Sequence, residues 1–143
     1  MISFKDLNES LNAGYEFDID NIDGTGSSVQ YDMSFDGKNS RYFVMVLADL
    51  KRKIIRIDFS DDEGSNDATG IAGMDAIKVF ATLGNILHKA LIQHQGFAVQ
   101  FEGAVAEPSK VKAYRALAKR VSTFTHGKVT ENRIGPNIRF TIG

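Results

Sequence analysis

The feature that most constrains the fold of this chain is a long run of apolar residues at helical spacing between positions 74 and 93. The apolar positions recur three or four residues apart: Ile77, Phe80, Leu83, Leu87 and Leu91. Residues at that spacing lie on one face of an α-helix. Because such a helix is stable only when its apolar face is buried, the rest of the chain must supply a surface that covers it.

A second amphipathic helix is predicted from Pro108 to Phe124, with an N-cap at Ser109 and an end at Gly127. Its apolar stripe consists of Val111, Tyr114, Leu117, Ala118, Val121 and Phe124. The rest of its surface is basic, with Lys110, Lys112, Arg115, Lys119 and Arg120. A third, short helix is expected over residues 4–11.

The segments around the two main helices alternate apolar and polar residues, which is typical of half-buried β-strands. The predicted strands are residues 15–20, 29–35, 41–48, 54–59, 97–102, 128–134 and 137–142. Asp36-Gly37 and Gly135-Pro136 mark hairpin turns, and residues 23–28 and 49–53 are predicted to be polar connections. Residues 42–47 (YFVMVL) are continuously apolar, so the third strand is expected to be central and covered on both faces.

These elements predict an α+β protein: a β-meander, a helix, a strand, a second helix and a closing hairpin. A mixed, mainly antiparallel sheet with one main helix on each face would bury both apolar stripes. A length of 143 residues fits one domain spanning positions 1–143.

Composition and charge narrow the functional classes. The chain has no cysteine, which excludes thiol catalysis and Cys-ligated zinc and indicates a reducing, cytoplasmic environment. No signal peptide or membrane-spanning run is recognisable, so a soluble protein without a membrane partner is expected. Residues 1–75 hold 15 acidic and 7 basic residues, and residues 76–143 hold 3 acidic and 10 basic. Either the two halves neutralise each other across one fold, or a bipolar surface meets an acidic partner with its basic side.

The glycine-rich turn before the first main helix has two interpretations. Gly70 and Gly73 allow backbone N–H groups to converge at a helix N-terminus, where the positive end of the helix dipole favours the binding of phosphate. The acidic neighbours of this turn, Asp61, Asp62, Glu63, Asp67 and Asp75, would oppose an anion by roughly 1 kcal/mol for each close pair. Turn geometry and close helix packing are therefore the favoured reason for these glycines.

The histidines and the basic face of the second helix suggest two further types of site, a metal site and a nucleic-acid contact. His88 and His94 are six residues apart and lie nearly opposite on the helix, so no metal site is predicted. The basic helix face could contact nucleic-acid phosphates through its lysines and arginines, but no base-reading motif accompanies it. A solvated helix face is the preferred interpretation.

The order of elements resembles GNAT-type N-acetyltransferases that lack their first helices. In that family an Arg/Gln-x-x-Gly-x-Gly/Ala turn holds the pyrophosphate of acetyl-CoA, and Asp67-Ala68-Thr69-Gly70-Ile71-Ala72 matches it at Gly70 and Ala72 but not at the first position. The resemblance implies acetyl-CoA at Gly70, Ala72 and Gly73 and a general-acid role for Tyr114. Glu102 is the best candidate for a catalytic base. Tyr114 also lies on the apolar stripe, where a core aromatic is the favoured interpretation.

A second resemblance is to small uncharacterised proteins of tailed bacteriophages. They share a Thr-Gly-x-(Gly/Ala) turn, a Val-Phe-Ala-Thr helix and a Ser-Arg-x-x-x-Tyr-x-x-Leu-x-Lys-Arg helix. This chain has Thr69-Gly70-Ile71-Ala72, Val79-Phe80-Ala81-Thr82 and residues 109–120 (SKVKAYRALAKR), and departs from the pattern at Lys110.

The leading hypothesis from the sequence is a non-enzymatic phage protein without a cofactor that binds an unidentified host or phage macromolecule. The basic residues 110, 112, 115, 119 and 120 would contact that partner. The first alternative is an acyl-CoA-dependent N-acetyltransferase that uses the glycine turn, Tyr114 and Glu102. The second alternative is a nucleic-acid contact through the helix at 109–124.

Overall fold

A computed structural model describes residues 14–38, 40–61, 74–106 and 108–143. Within these ranges seven strands form one sheet: β1 (Asp18–Gly24), β2 (Ser28–Asp36), β3 (Arg41–Asp49), β4 (Ile54–Asp61), β5 (Ala98–Ala104), β6 (Val129–Ile134) and β7 (Asn137–Ile142). Two helices connect them, α1 (Met74–Gln93) and α2 (Pro108–Thr125). The spatial order of the strands is β1-β2-β3-β4-β5-β7-β6.

The predicted fold class is confirmed. The sheet is mixed and mainly antiparallel, since β4 and β5 are the parallel pair and the other neighbours run antiparallel. The chain follows the predicted order of meander, helix, strand, helix and hairpin. The expected helix over residues 4–11 lies outside the described residues.

The placement of the two helices differs from the prediction, because both pack on the same face of the sheet. Phe59 of β4 contacts Phe80 of α1 and Tyr114 of α2, with ring centroids 5.8 and 6.3 Å apart. Phe80 and Tyr114 contact each other at 5.8 Å. The two apolar stripes are therefore buried together in one core between the helices and the sheet. A cluster of aromatic side chains fills that core.

Neither of the two described helices packs on the opposite face of the sheet, hereafter the open face. Strand β3 shows the consequence most clearly. Val44 and Val46 are buried beneath the helices, whereas Phe43 is 47% and Met45 39% exposed. The prediction that this strand is covered on both faces is therefore wrong. Both helices pack on the same face of the sheet, so only alternate residues of the apolar run are buried.

The first strand begins later and extends further than predicted. Tyr15 and Phe17 precede β1 and pack beside α1: the backbone N–H of Tyr15 donates to Thr82 Oγ1 at 2.7 Å, and Lys89 Nζ lies 5.6 Å from the Phe17 ring. Tyr15 and Phe17 thus pack against α1 and not as part of a strand, and Tyr15 also stacks on Phe35 of β2 with ring centroids 6.0 Å apart. Strand β1 pairs with β2 as far as Gly24, so the predicted connection at 23–28 shrinks to a turn of about three residues.

The ends of the two helices follow local backbone rules. Gly96 adopts a left-handed conformation (φ 83°) after α1, a conformation that glycine takes readily at the end of a helix. After α2 that conformation falls on His126 (φ 58°), one residue before the predicted Gly127. The His126 N–H donates to the Ser122 carbonyl at 2.9 Å, which closes the last turn of the helix.

Candidate functional site

One feature of the described fold that can hold a ligand is a divergence between the two parallel strands. Strands β4 and β5 pair over three residue pairs only, from Ile54 with Ala98 to Arg56 with Gln100. Beyond that point β4 continues to Asp61, where β3 still pairs with it, and β5 continues to Ala104, where β7 still pairs with it. Since both strands keep their outer ladders, the V between them is a built feature of the sheet and not a frayed end.

This divergence leaves backbone groups on two inner edges. From Ile57 onward in β4 and from Phe101 onward in β5, the facing strand supplies no ladder partner. Backbone N–H and C=O groups are strong hydrogen-bonding groups that seek partners. An extended ligand that carries amides can therefore pair with such an edge in the manner of an added strand.

A cleft of about 760 Å³ lies at this divergence on the open face. Its volume falls within the range of small-molecule sites, about 300 to 1,000 Å³. The cleft has a mixed lining, with Ile57, Gly103 and Ala104 beside polar and charged side chains. The polar lining residues are Arg56, Asp58, Gln100, Glu102, Asn137 and Arg139.

An aromatic wedge fills the helix side of the divergence. Tyr114 lies between the two strands, with its ring centroid 6.3 Å from Phe59 of β4 and 5.5 Å from Phe101 of β5. Its side chain is 4% exposed, so the prediction of a core aromatic is confirmed. Gly103 of β5 makes room for it, because a Cβ at Gly103 would stand only 2.7 Å from Tyr114 Cδ2.

Glu102, the candidate base, lies on the opposite face of the sheet from Tyr114. Its Oε1 accepts from Arg139 Nε at 2.7 Å and also lies 2.7 Å from Arg139 Nη2. Its Oε2 accepts from Asn137 Nδ2 at 3.4 Å. Successive β-strand side chains point to opposite faces, so Glu102 projects into the cleft while its neighbours Phe101 and Gly103 face the helices. The two predicted catalytic residues thus border the same divergence from its two sides.

The predicted cofactor turn lies outside the described residues, so the assignment of Gly70, Ala72 and Gly73 to a cofactor stays a prediction. In the chain this turn stands between the end of β4 at Asp61 and the start of α1 at Met74.

The basic residues of α2 do not form one free cationic face. Arg115 Nε donates to Glu131 Oε1 of β6 at 2.9 Å, and Arg120 Nη2 donates to Asn85 Oδ1 of α1 at 3.1 Å. Lys112 and Lys119 are exposed, and the side chain of Lys110 lies outside the described residues. The partner-binding role of these five residues stays a prediction.

The described ion pairs also bear on the charge asymmetry. Arg41 with Asp18 and Asp36, and Arg52 with Asp49, join residues of the acidic half. Arg115 with Glu131 and Arg139 with Glu102 join residues of the basic half. Within the described ranges each ion pair thus joins residues of one half of the chain.

Sequence reasoning missed Arg139, the residue that holds Glu102. A signal is present in the sequence, because the apolar residues Ile138, Phe140 and Ile142 alternate along the predicted strand 137–142, which places Arg139 on the other face. The sequence does not show which strand pairs with β7. In the structure β7 lies beside β5, and this pairing brings Arg139 opposite Glu102. Arg56 and Gln100 were missed for the same reason, since each is an ordinary outward residue until β4 meets β5.

Among residues 14–38, 40–61, 74–106 and 108–143, no group of three or more His, Asp or Glu side chains is arranged to hold a metal ion. No described helix is long and apolar enough to cross a lipid bilayer. His88 packs on Phe124 of α2, with ring centroids 4.7 Å apart.

The fold and cleft define the class: an α+β protein with a mixed sheet that splits between two parallel strands. Among known structures the chain is similar to an apo crystal form of RimL, the ribosomal L7/L12 alpha-N-protein acetyltransferase. The two chains share 15% sequence identity and a TM-score of 0.37 over 82% of this chain and 68% of the other. A similarity this low does not carry an activity from one protein to the other. No protein-family model matches the chain, and no curated protein is significantly similar in sequence.

Proposed function

We propose that this protein binds an acyl-CoA in the divergence between β4 and β5 and transfers the acyl group to an amine. The observation that carries the proposal is the V itself: two strands that keep their outer ladders, with inner edges that no described strand pairs, beside a cleft of about 760 Å³. The acetyltransferase resemblance of the sequence pointed to the same class of ligand.

The inner edge of β4 suits the pantetheine part of this ligand. That part is an extended chain with two amide groups, and amides pair with a strand edge through the same N–H and C=O groups as a peptide does. Residues 57–61 of β4 would provide that edge. The bound thioester supplies an activated acyl group, which a nucleophilic amine can accept without further activation of the carbonyl.

The chain's own side chains take defined positions around such a ligand. Glu102 faces the cleft and accepts an amine proton, and Arg139 positions its carboxylate through the two 2.7 Å contacts at Oε1. Tyr114 borders the divergence from the helix side and donates its hydroxyl proton to the departing sulfur.

A second function, non-enzymatic binding of a host or phage macromolecule, is favoured by one specific observation. Glu102 and Tyr114 approach the divergence from opposite faces, and both Glu102 oxygens are already engaged. A chain that only binds a partner does not need these two residues to meet over one reacting bond.

Calorimetric titration with acetyl-CoA separates the two functions. Ala106 is exposed and lines the cleft, so Ala106→Trp should fill the site without disturbing the core. Ala116 is exposed on α2 outside the cleft, so Ala116→Trp is the matched control. Acetyl-CoA should bind the wild type and Ala116→Trp alike and bind Ala106→Trp at least about tenfold more weakly, a loss of about 1.4 kcal/mol.

Two results would count against this proposal. No heat and no thermal shift at millimolar acetyl-CoA would remove the acyl-CoA function and leave partner binding. Binding of acetyl-CoA without acetylation of any amine in a peptide mixture, measured by mass spectrometry, would retain the ligand and remove the transfer reaction.

A further inference from the structure

The open face of the sheet carries an apolar stripe along its interior strand β3. The stripe consists of Phe43 and Met45, 47% and 39% exposed, and the half-buried Leu47. These alternate residues project to the same side, away from the helices. The solvated face of a sheet is normally polar, so large exposed apolar side chains near its centre mark a surface for a partner.

Carboxylates stand on both sides of this stripe. Met45 pairs in register with Asp32 of β2 and with Asp58 of β4, so one row across the sheet consists of Asp32, Met45 and Asp58. Asp20 of β1 joins them at the rim of a hollow of about 300 Å³ that also includes Phe43. These six residues, Asp20, Asp32, Phe43, Met45, Leu47 and Asp58, are hereafter the acidic-apolar patch.

The three carboxylates lack a cationic partner among the described residues. Asp32 Oδ1 accepts from Gln30 Nε2 at 3.0 Å, and Asp58 Oδ1 accepts the backbone N–H of Phe59 at 3.0 Å. The nearby guanidinium of Arg41 makes its ion pairs with Asp36 at 2.8 Å and with Asp18 at 3.8 Å, and Asp20 lies close enough to attract the same charge. Arg56 stands in register beside Leu47 at one end of the stripe. The unneutralised negative charge of the patch is therefore concentrated at Asp32 and Asp58, on the two sides of Met45.

The dimensions of the patch fit one kind of partner. Asp32 and Asp58 are two strand spacings apart, or about 10 Å, which matches the diameter of about 10–12 Å of a helix with its side chains. From Phe43 to Leu47 the stripe runs about 13 Å, the length of roughly nine helical residues. We propose that the acidic-apolar patch binds a cationic amphipathic helix of a partner protein.

In this complex the apolar stripe of the partner helix covers Phe43, Met45 and Leu47. Lysines and arginines on its two flanks pair with Asp20 and Asp32 on one side and with Asp58 on the other. A nucleic acid does not fit, because its phosphates would face the same carboxylates. The proposed partner is thus basic and docks on the sheet, whereas the sequence predicted an acidic partner on the basic helix α2.

The proposal goes beyond acyl transfer and can be tested independently of it. Phe43 and Asp32 do not line the cleft between β4 and β5, so their replacement should leave the acetyl-CoA titration unchanged. If acetyl-CoA does not bind while the helix does, the acyl-transfer proposal fails alone. The opposite pair of results removes only the docking proposal.

The test uses two synthetic amphipathic peptides of about four helical turns, one built from Leu and Lys and the other with Glu in place of Lys. Binding is measured by fluorescence anisotropy, and the contact surface is mapped by backbone amide chemical shifts. The Leu/Lys peptide should bind at β2, β3 and β4, and its affinity should fall steeply with salt. The Leu/Glu peptide should not bind.

Matched variants separate a specific site from general attraction. Asp32→Asn combined with Asp58→Asn should weaken binding at least about tenfold, as should Phe43→Ser. The controls change the same charge or apolarity elsewhere on the surface: Glu16→Gln with Glu131→Gln, and Ile134→Ser, which is 41% exposed on β6. Each control should stay within about twofold of the wild type.

Three results would overturn the proposal. The first is equal binding of the Leu/Glu peptide or an unchanged affinity in the Asp32 and Asp58 double variant. The second is a map of shifts centred on α2. The third is self-association of the protein that Phe43→Ser abolishes, which would make the occupant of the patch a second copy of this chain.

Discussion

Replacing Gly103 by alanine tests whether the aromatic wedge sets the divergence between β4 and β5. The added Cβ would stand 2.7 Å from Tyr114 Cδ2 and 3.1 Å from Cε2. The ring has little freedom to retreat, because Phe59, Phe80, Phe101 and Phe140 surround it at centroid distances of 5.5–6.3 Å. The clash must therefore be relieved by movement of packed groups.

The expected magnitude follows from two opposing effects. Overpacking of a dense core costs about 1–3 kcal/mol. Alanine also restricts the unfolded chain more than glycine does, which returns about 0.4–1 kcal/mol. The net loss of unfolding free energy should be about 1–2 kcal/mol, or roughly 3–8 °C in melting temperature for a chain of this size.

Gly26→Ala is the matched control, because a Cβ at Gly26 would meet no atom within 4 Å and the residue does not have a positive φ. In this variant alanine only restricts the unfolded chain and clashes with nothing in the folded one. The variant should therefore be as stable as the wild type or slightly more stable. Urea denaturation followed by circular dichroism measures both variants.

A double-mutant cycle adds the specific link to the ring. Tyr114→Leu removes the atoms that the new Cβ would strike, so Gly103→Ala should cost at least about 1 kcal/mol less in that background. The reasoning is refuted if Gly103→Ala is as stable as Gly26→Ala, or if its cost is the same with and without the tyrosine ring.

Two further predictions concern single contacts. Thr82→Val keeps the shape of a fully buried side chain but removes the hydroxyl that accepts the Tyr15 N–H at 2.7 Å. The free energy of unfolding, measured by urea titration, should therefore fall by about 1–3 kcal/mol. An unchanged value would show that this contact does not anchor the segment before β1. In the turn after β3, the backbone N–H groups of Arg52 and Lys51 donate to Asp49 and hold the pKa of that carboxyl below its ordinary value of 3.8. Since the folded pKa is the lower one, this stabilisation is present above about pH 4 and is lost as the pH falls through the folded value. Asp49→Asn should therefore reduce the loss of melting temperature between pH 5 and pH 2, and an identical acid profile would contradict the assignment.

The two proposals place different ligands on neighbouring parts of one surface. The cleft at the divergence and the acidic-apolar patch share Met45, Leu47 and Asp58 along their border. A helix docked on β3 would therefore form one wall of the cleft. The affinity for acetyl-CoA should change when the partner helix is bound, which titration in the presence of the Leu/Lys peptide would show.

The sequence alone determined the elements whose causes are local. The bounds of α1 were predicted to the residue because its apolar spacing and the glycine that ends it lie within one segment. The hairpin at Asp36-Gly37 followed from turn chemistry in the same way, and the Gly37 N–H donates to the Ser40 carbonyl at 2.8 Å. Such signals depend on neighbours in the chain, so they can be read without the fold.

Only the tertiary structure decided which face of the sheet is covered and where the sheet opens. The apolar run of β3 looked buried on both sides, yet Phe43 and Met45 are exposed because both helices share one face. Glu102 looked isolated until β7 placed Arg139 beside it. Alternation shows that a strand has two different faces, but which elements cover each face depends on contacts between residues far apart in the chain.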